Sequence, residues 1–271
     1  MSVEGLSINF ATLRQGGSFG AIVDACLAEG VTAISPWREY VGDLAEATRI
    51  VALNGLRVTG HCRGGFFPAA DAQGRLAALE ANRRAVDEAA ALGAACLVMV
   101  VGGLPPGSRD LPGARAMVAD GMAELLPYAR AAGVPLAIEP LHPTYAADRA
   151  CINTLKQSLD LCDELGSGVG VAIDVYHVWW DPELEAQIER AGRGGRILAH
   201  HVCDWLVPTT DPLNDRGMMG DGVIDLRRFR ALIETAGFHG PQEVEIFSTR
   251  WGTRPIGEVV RTCVERYRTV C

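Results

Sequence analysis

Apolar runs rich in Val and Ile alternate with Ala- and Leu-rich stretches of helical period from one end of the chain to the other. LSINFATL (6–13) reads as a strand and is followed by the helical FGAIVDACLAEG, in which Gly30 is placed as a C-terminal stop. VTAISP (31–36) precedes a helix around 43–53, and LRVTGHC (56–62) precedes a long one near 73–92. CLVMVVGG, VPLAIEPLH, VGVAIDVYHV, RILAHHVCDW and QEVEIFS supply five more strands. Helical stretches near 113–132, 153–165, 183–192 and 225–236 separate them, and a last helix near 256–270 closes a series of eight βα units.

Several helices end in Gly with the next strand starting a residue or two later, as in LAEGVTAI, ALNGLRVT, AALGAACLVMV and RAAGVPLAI. Loops that short leave no room for an antiparallel return, so the strands are expected to be parallel and buried on both faces. With no linker or break in composition between units, the pattern predicts an α/β fold of one domain over 1–271, a (β/α)8 TIM barrel. A doubly wound open sheet is the alternative, but no GxGxxG turn follows the first strand.

The bulk properties narrow the function. A chain of 271 residues with 48% hydrophobic and 21% charged residues has the makeup of a globular protein with a large core. Its net charge of -8 disfavours a nucleic-acid backbone as partner, because that role usually needs a basic stripe. The start, MSVEGLSINFATL, lacks a basic region followed by an apolar one, and no apolar run reaches the roughly 18 residues that span a bilayer. The expectation is a cytoplasmic protein acting on a small molecule, away from membranes. The eight cysteines are scattered without CxxC spacing and read as small buried fillers.

In barrels of this kind chemistry collects at the C-terminal ends of the strands, and the ionisable residues follow that rule. The third run ends in His61, Cys62 and Arg63, the fifth in Glu139 and His142, the sixth in Asp174 and His177, the seventh in His200, His201 and Asp204, and the eighth in Glu243 and Glu245. Within GVAIDVYHVWWDP (170–182), a carboxylate at the end of a buried run demands a metal, a basic partner or solvent. Period-2 alternation sends one of His200 and His201 into the barrel and the other toward the helices. Glu243 and Glu245 share a face but lie about 7 Å apart along it, so one of them stands at the height of the other strand ends, and Glu245 is the choice. Several carboxylates converging on one axis repel, and a divalent cation would relieve this. Two Glu, one Asp and one His suit Mn, Mg, Co or Zn, with the carboxylate majority leaning toward Mn2+ or Mg2+.

At these residues the chain resembles the xylose isomerase-like barrel superfamily of sugar isomerases and epimerases, which includes inosose dehydratases, ketose 3-epimerases and, more distantly, endonuclease IV. IEPLHP, IDVYHVWW, HHVCDW, GDGVIDLRRFRALIETAGFHG and VEIFS carry the resemblance, densely in the C-terminal half and only as βα rhythm in the N-terminal half. The resemblance implies one divalent metal held by Glu139, Asp174, His201 and Glu245. The family's H-hydrophobic-x-D pattern, met by His201, Val202, Cys203 and Asp204, favours His201 over His200. It further implies that His177 and Arg216 face the substrate and that Asp204 serves it or supports those that do. His142, His61 and Trp179 complete the expected substrate-binding set. Trinuclear relatives use further histidines, whereas here the fourth run ends VMVVGG and the later motif reads Asp215, Arg216, Gly217, which argues against phosphodiester hydrolysis.

The activity so implied is sugar isomerisation or epimerisation. Glu139 and Glu245 would be the catalytic pair, removing a proton next to a carbonyl and returning one through a metal-stabilised enediolate. Expulsion of a β-oxygen from the same enediolate would make a dehydratase or lyase instead, and a non-catalytic sugar-binding barrel is the alternative outside enzymology. Trp37, Trp179, Trp180 and Trp205 are expected either to form an apolar platform or to pack loops over the mouth. The long loop from Leu206 to Val223 reads as a lid or as a static surface loop. A phosphorylated substrate would rely on Arg63 or Arg216, since no Gly-rich cradle is evident. The family also suggests a homodimer or homotetramer.

Overall fold

Each Val/Ile-rich run forms a strand in the computed structural model, which describes residues 3–14 and 16–271. In chain order the strands are β1 (Leu6–Asn9), β2 (Ala33–Ser35), β3 (Arg57–Val58), β4 (His61–Gly65), β5 (Leu97–Val100), β6 (Leu136–Ile138), β7 (Val169–Asp174), β8 (Ile197–Val202) and β9 (Gln242–Val244). They hydrogen-bond in the order β3-β2-β1-β9-β8-β7-β6-β5-β4, and every named pairing is parallel. Because β3 and β4 are the two halves of one run, interrupted at Thr59–Gly60, the nine strands fill eight barrel positions and the ends of the order meet. This is the TIM barrel that the periodicity predicts.

The helices form the outer ring: α1 (Phe19–Ala28), α2 (Arg38–Val41), α3 (Leu44–Leu53), α4 (Ala72–Leu92), α5 (Leu111–Ala131), α6 (Leu155–Leu165), α7 (Val175–Val178), α8 (Leu184–Arg193), α9 (Leu226–Thr235), α10 (Thr249–Gly252) and α11 (Ile256–Thr269). Many start at a side-chain cap. Ser18, Asp43, Asp71, Asp110, Thr154 and Asp225 each accept a hydrogen bond from the backbone N–H three residues on, satisfying a donor the helix itself cannot pair. Among the described residues no helix is long and apolar enough to cross a membrane.

The barrel strands are buried on both faces, as parallel sheets must be. Close approach is tightest at Gly65, where φ is +112° and a Cβ would lie 1.8 Å from the Val100 carbonyl oxygen, so only glycine fits between β4 and β5. Strand register sets the site. Asp174 is paired with His201 across β7 and β8, and His201 with Glu243 across β8 and β9, which brings three ionisable side chains to one level of the barrel. Glu139 and Glu245 follow their strands directly, held by the bonds Glu139 N–H to Met99 O and Glu245 N–H to Val202 O.

Candidate functional site

Asp174 closes β7 and caps α7 at once, its Oδ1 accepting from the Tyr176 N–H at 2.8 Å. Its other oxygen, Oδ2, therefore faces the barrel mouth. Around it stand Glu139, His201 and Glu245, all buried, each offering a ligand atom within 4.8 Å of the other three. His201 Nδ1 lies 2.9 Å from Glu139 Oε1 and 3.8 Å from Glu245 Oε2. Ligands bound at about 2.1 Å to one ion are separated by roughly 3–4 Å, so a divalent cation fits these four after a small contraction. Glu139 Oε1 and His201 Nδ1 are also buried without a well-directed hydrogen bond, which leaves them free to ligate.

The electrostatics show what the cluster asks for. Burial pushes the His201 imidazole down, but Glu243, Glu139 and Glu245 outweigh it and hold the ring well above its usual range. A metal would take the place of that proton. Burial raises the Glu245 carboxyl to about 8, helped by Glu139 and Asp174 against His201 and Arg216. For Asp174 burial is outweighed by Arg216, His177 and His201, so its carboxyl stays below the ordinary range.

Arg216, expected to hold substrate oxygens, reaches the carboxylates themselves. Its Nη1 donates to Asp174 Oδ2 at 2.9 Å and to Glu245 Oε2 at 3.1 Å, and its Nη2 lies 3.1 Å from His177 Nε2. The guanidinium is clamped between the Tyr176 and Phe247 rings, 4.5 and 5.1 Å from its carbon. Asp174, within GVAIDVYHVWWDP, thus has the basic partner that the sequence left open beside a metal. With Arg216 in place the central cavity, lined by residues that include Glu139, His177, Arg216 and Glu245, encloses about 40 Å3, too little for a sugar.

His177 is where it was expected. Its Nδ1 accepts from the His142 backbone N–H at 3.2 Å, and burial, with Arg216 and His142 against Asp174, lowers the ring to about 3, so it stays a neutral hydrogen-bonding group. Four other expected substrate residues stand elsewhere. His61 points outward, since alternation turns Cys62 into the barrel; its ring bonds Pro36 O at 3.0 Å and lies 3.3 Å from Glu88 on α4. The His142 ring packs at 5.0 Å on Trp205, so only its backbone serves the site. Trp179 packs at 5.8 Å on Trp205 and, with Trp180, lines a separate outer groove of about 510 Å3 beside α8 and α9. Only Trp37 of the four tryptophans lines the central cavity.

Asp204 takes the supporting role of the two expected for it. Its carboxylate accepts from the backbone N–H groups of Trp205, Gly220, Gly222 and Ile224, so it organises the segment after β8 and does not face a substrate. Met218 and Met219 in that segment are fully buried, so this part is packed structure and not a lid.

Beneath the cluster lies a polar floor that the sequence reading missed. Asn9 Nδ2 bridges Glu243 Oε1 at 2.7 Å and Glu245 Oε1 at 3.0 Å, Thr59 Oγ1 donates to Glu243 Oε2 at 2.9 Å, and Ser7 shares a 2.7 Å bond with Thr59. Glu243, set aside on height, faces the ring from behind at an ion-pair distance of 3.4 Å from His201 Nε2, while Nδ1 faces Glu139 and Glu245. The signal available was the placing of Ser7 and Asn9 two apart in an otherwise apolar strand.

A family model described as a xylose isomerase-like TIM barrel matches residues 23–268. The chain belongs to that family. Among solved structures, protein SMc04130 from Sinorhizobium meliloti 1021 is 67% identical with a TM-score of 0.98, covering 99% of this chain and 98% of that one. The IolI protein, solved with a bound zinc atom, is 20% identical with a TM-score of 0.83, over 98% of this chain and 97% of that one. D-allulose 3-epimerase from Methylomonas sp. is 19% identical with a TM-score of 0.77, over 98% and 97%. No curated protein matches the chain. The two distant likenesses establish the shared fold.

Proposed function

We propose that this family member is a divalent-metal-dependent isomerase or epimerase of a ketose. The observation that carries the reading is the pair Glu139 and Glu245 flanking His201 in one buried cluster that lines the central cavity. Structural neighbours support the substrate class: one is a D-allulose 3-epimerase and another, from E. coli, a 3-keto-D-glucoside 4-epimerase. Glu139, Asp174, His201 and Glu245 would hold the ion, and their donor set leans toward Mn or Mg. When bound, the ion would act as a Lewis acid on the carbonyl side of the substrate.

The remaining chemistry belongs to the protein's own residues. One glutamate takes the proton from the carbon next to the carbonyl, and the other returns a proton on the opposite face. Burial and like charge raise the Glu245 carboxyl to about 8 in the metal-free site, and ligating the ion would ionise it, so Glu245 would stand as the base. His177, kept neutral and fixed by the His142 N–H, orients a substrate hydroxyl. Arg216, once displaced from Asp174 and Glu245, supplies donors to substrate oxygens. A lyase would need an acid at the leaving group. His177 is pushed to about 3 and Arg216 is a fixed cation, so in either reaction the proton would come from one of the two glutamates.

Metal analysis of protein purified without chelator, followed by solvent deuterium uptake into ketoses, tests the reading. One equivalent of metal, lost in His201→Ala, with exchange abolished in Glu245→Gln, is expected. A protein that binds no divalent ion after reconstitution, or a Glu245→Gln variant that exchanges normally, sinks it.

A further inference from the structure

The mouth of the central cavity carries more positive charge than the cluster below it uses. Arg63, Arg149 and Arg216 line it together. Glu139, Asp174 and Glu245 make their ion pairs with His201 and Arg216, and Arg63 and Arg149 reach none of them. Arg63 has only Glu39 near it, at 3.9 Å and itself 64% exposed, a pair worth little in water. Among the described residues no carboxylate lies within ion-pair distance of Arg149.

These guanidiniums are set in place by aromatic rings. Arg63 lies 4.3 Å from the Phe66 ring centre and 5.7 Å from that of Trp37, and Arg149 lies 5.9 Å from that of Tyr145. Holding them in one wall is costly. Burial lowers the Arg63 guanidinium below its usual range, Glu39 opposes this, and Arg149 adds to the lowering. Two further donors of the same lining, Trp37 Nε1 and Arg216 Nε, are buried without any acceptor. A wall with weakly paired guanidiniums and unpaired N–H groups, on a chain of net charge -8, is built for an acceptor-rich anion.

We infer that the substrate is an anionic ketose, with its carbonyl end at the Glu139, Asp174, His201 and Glu245 cluster and a carboxylate or phosphate at the far end, received by Arg63 and Arg149. The head-group placement rests on the proposed isomerase or epimerase function; the anion site rests on the arginines alone. This gives Arg63 a specificity role although no Gly-rich phosphate loop is present, since guanidinium forks bind either anion without one.

The test is calorimetric binding to the metal-loaded full chain of three probes with a common ketose head: D-fructose, D-fructuronate and D-fructose 6-phosphate. Malonate and inorganic phosphate are titrated alongside at constant ionic strength, and the set is repeated with Arg149→Gln and Arg63→Gln/Arg149→Gln, whose metal content is checked. The anionic ketoses should bind at least tenfold more tightly than D-fructose, with the ratio falling toward one in the double variant. Whichever of the two binds more tightly tells carboxylate from phosphate. Equal affinity for all three ketoses, or a preference that survives in the double variant, overturns the inference, as does failure of every anion to bind. If no ketose binds but malonate or phosphate does so through Arg149, the anion site stands and the ketose reading falls.

Discussion

A divalent cation held as proposed would compete with Arg216 for the oxygens of Asp174 and Glu245, and Arg216→Met would expose the competition. Methionine keeps the apolar contact with Tyr176 and Phe247 but removes the donors that now lie 2.9 Å from Asp174 Oδ2 and 3.1 Å from Glu245 Oε2. Removing one partner of a buried ion pair costs about 3–5 kcal/mol. Here Glu245, held near 8, keeps its own proton at neutral pH, so Asp174 is the carboxylate left without its counter-charge and the lower end, about 3 kcal/mol, applies to the metal-free protein. With metal bound, the ion neutralises the same group and the loss shrinks. By linkage the variant should then bind Mn2+ more tightly, by at least about tenfold, or ~1.4 kcal/mol. Urea unfolding of chelator-stripped and Mn-loaded protein, with calorimetric titration of Mn2+, measures both. Equal destabilisation in the two states together with an unchanged Kd would refute the reasoning.

Two further outcomes follow from polar groups away from the metal cluster. Burial pushes the Glu88 carboxyl up, but hydrogen bonds from Arg38 and His61 outweigh it and take it from 4.5 to about 2. Its stabilisation is therefore complete above pH 4.5 and lost as pH falls through 2, and the solvent exposure of this pair limits it to about 1–2 kcal/mol; Glu88→Gln should lower stability at pH 6, and the gap to the parent should narrow below pH 4.5 and close only below about pH 2 in acid-unfolding curves. Asp204→Ala should release the segment after β8, and hydrogen exchange at the amides of Gly220, Gly222 and Ile224 should accelerate at least tenfold, because each donates to that carboxylate in the parent. Unchanged protection would show that buried Met218 and Met219 hold the segment unaided.

The spacing of the runs determined the barrel. Short αβ loops ending in Gly permit only parallel pairing, and a strand end in this fold is a mouth position, so Glu139, Asp174 and Glu245 could be named from one dimension, the family pattern chose His201 over His200, and the four meet within 4.8 Å in three dimensions. The outward turn of His61 was equally available from alternation, because its neighbour Cys62 faces Asn9. What tertiary structure alone decided is which polar groups meet across distant strands. Asn9 and Glu243 are 234 residues apart, yet they join at 2.7 Å because β1 pairs with β9 as the barrel closes. Arg216 and Asp204 both lie in or beside an irregular segment with no period to read, so the reach of one into the cluster and the hold of the other on its own loop could not be inferred. Local sequence fixes where a side chain leaves the backbone; the partner that balances its charge is set by closure of the sheet and the path of its loops.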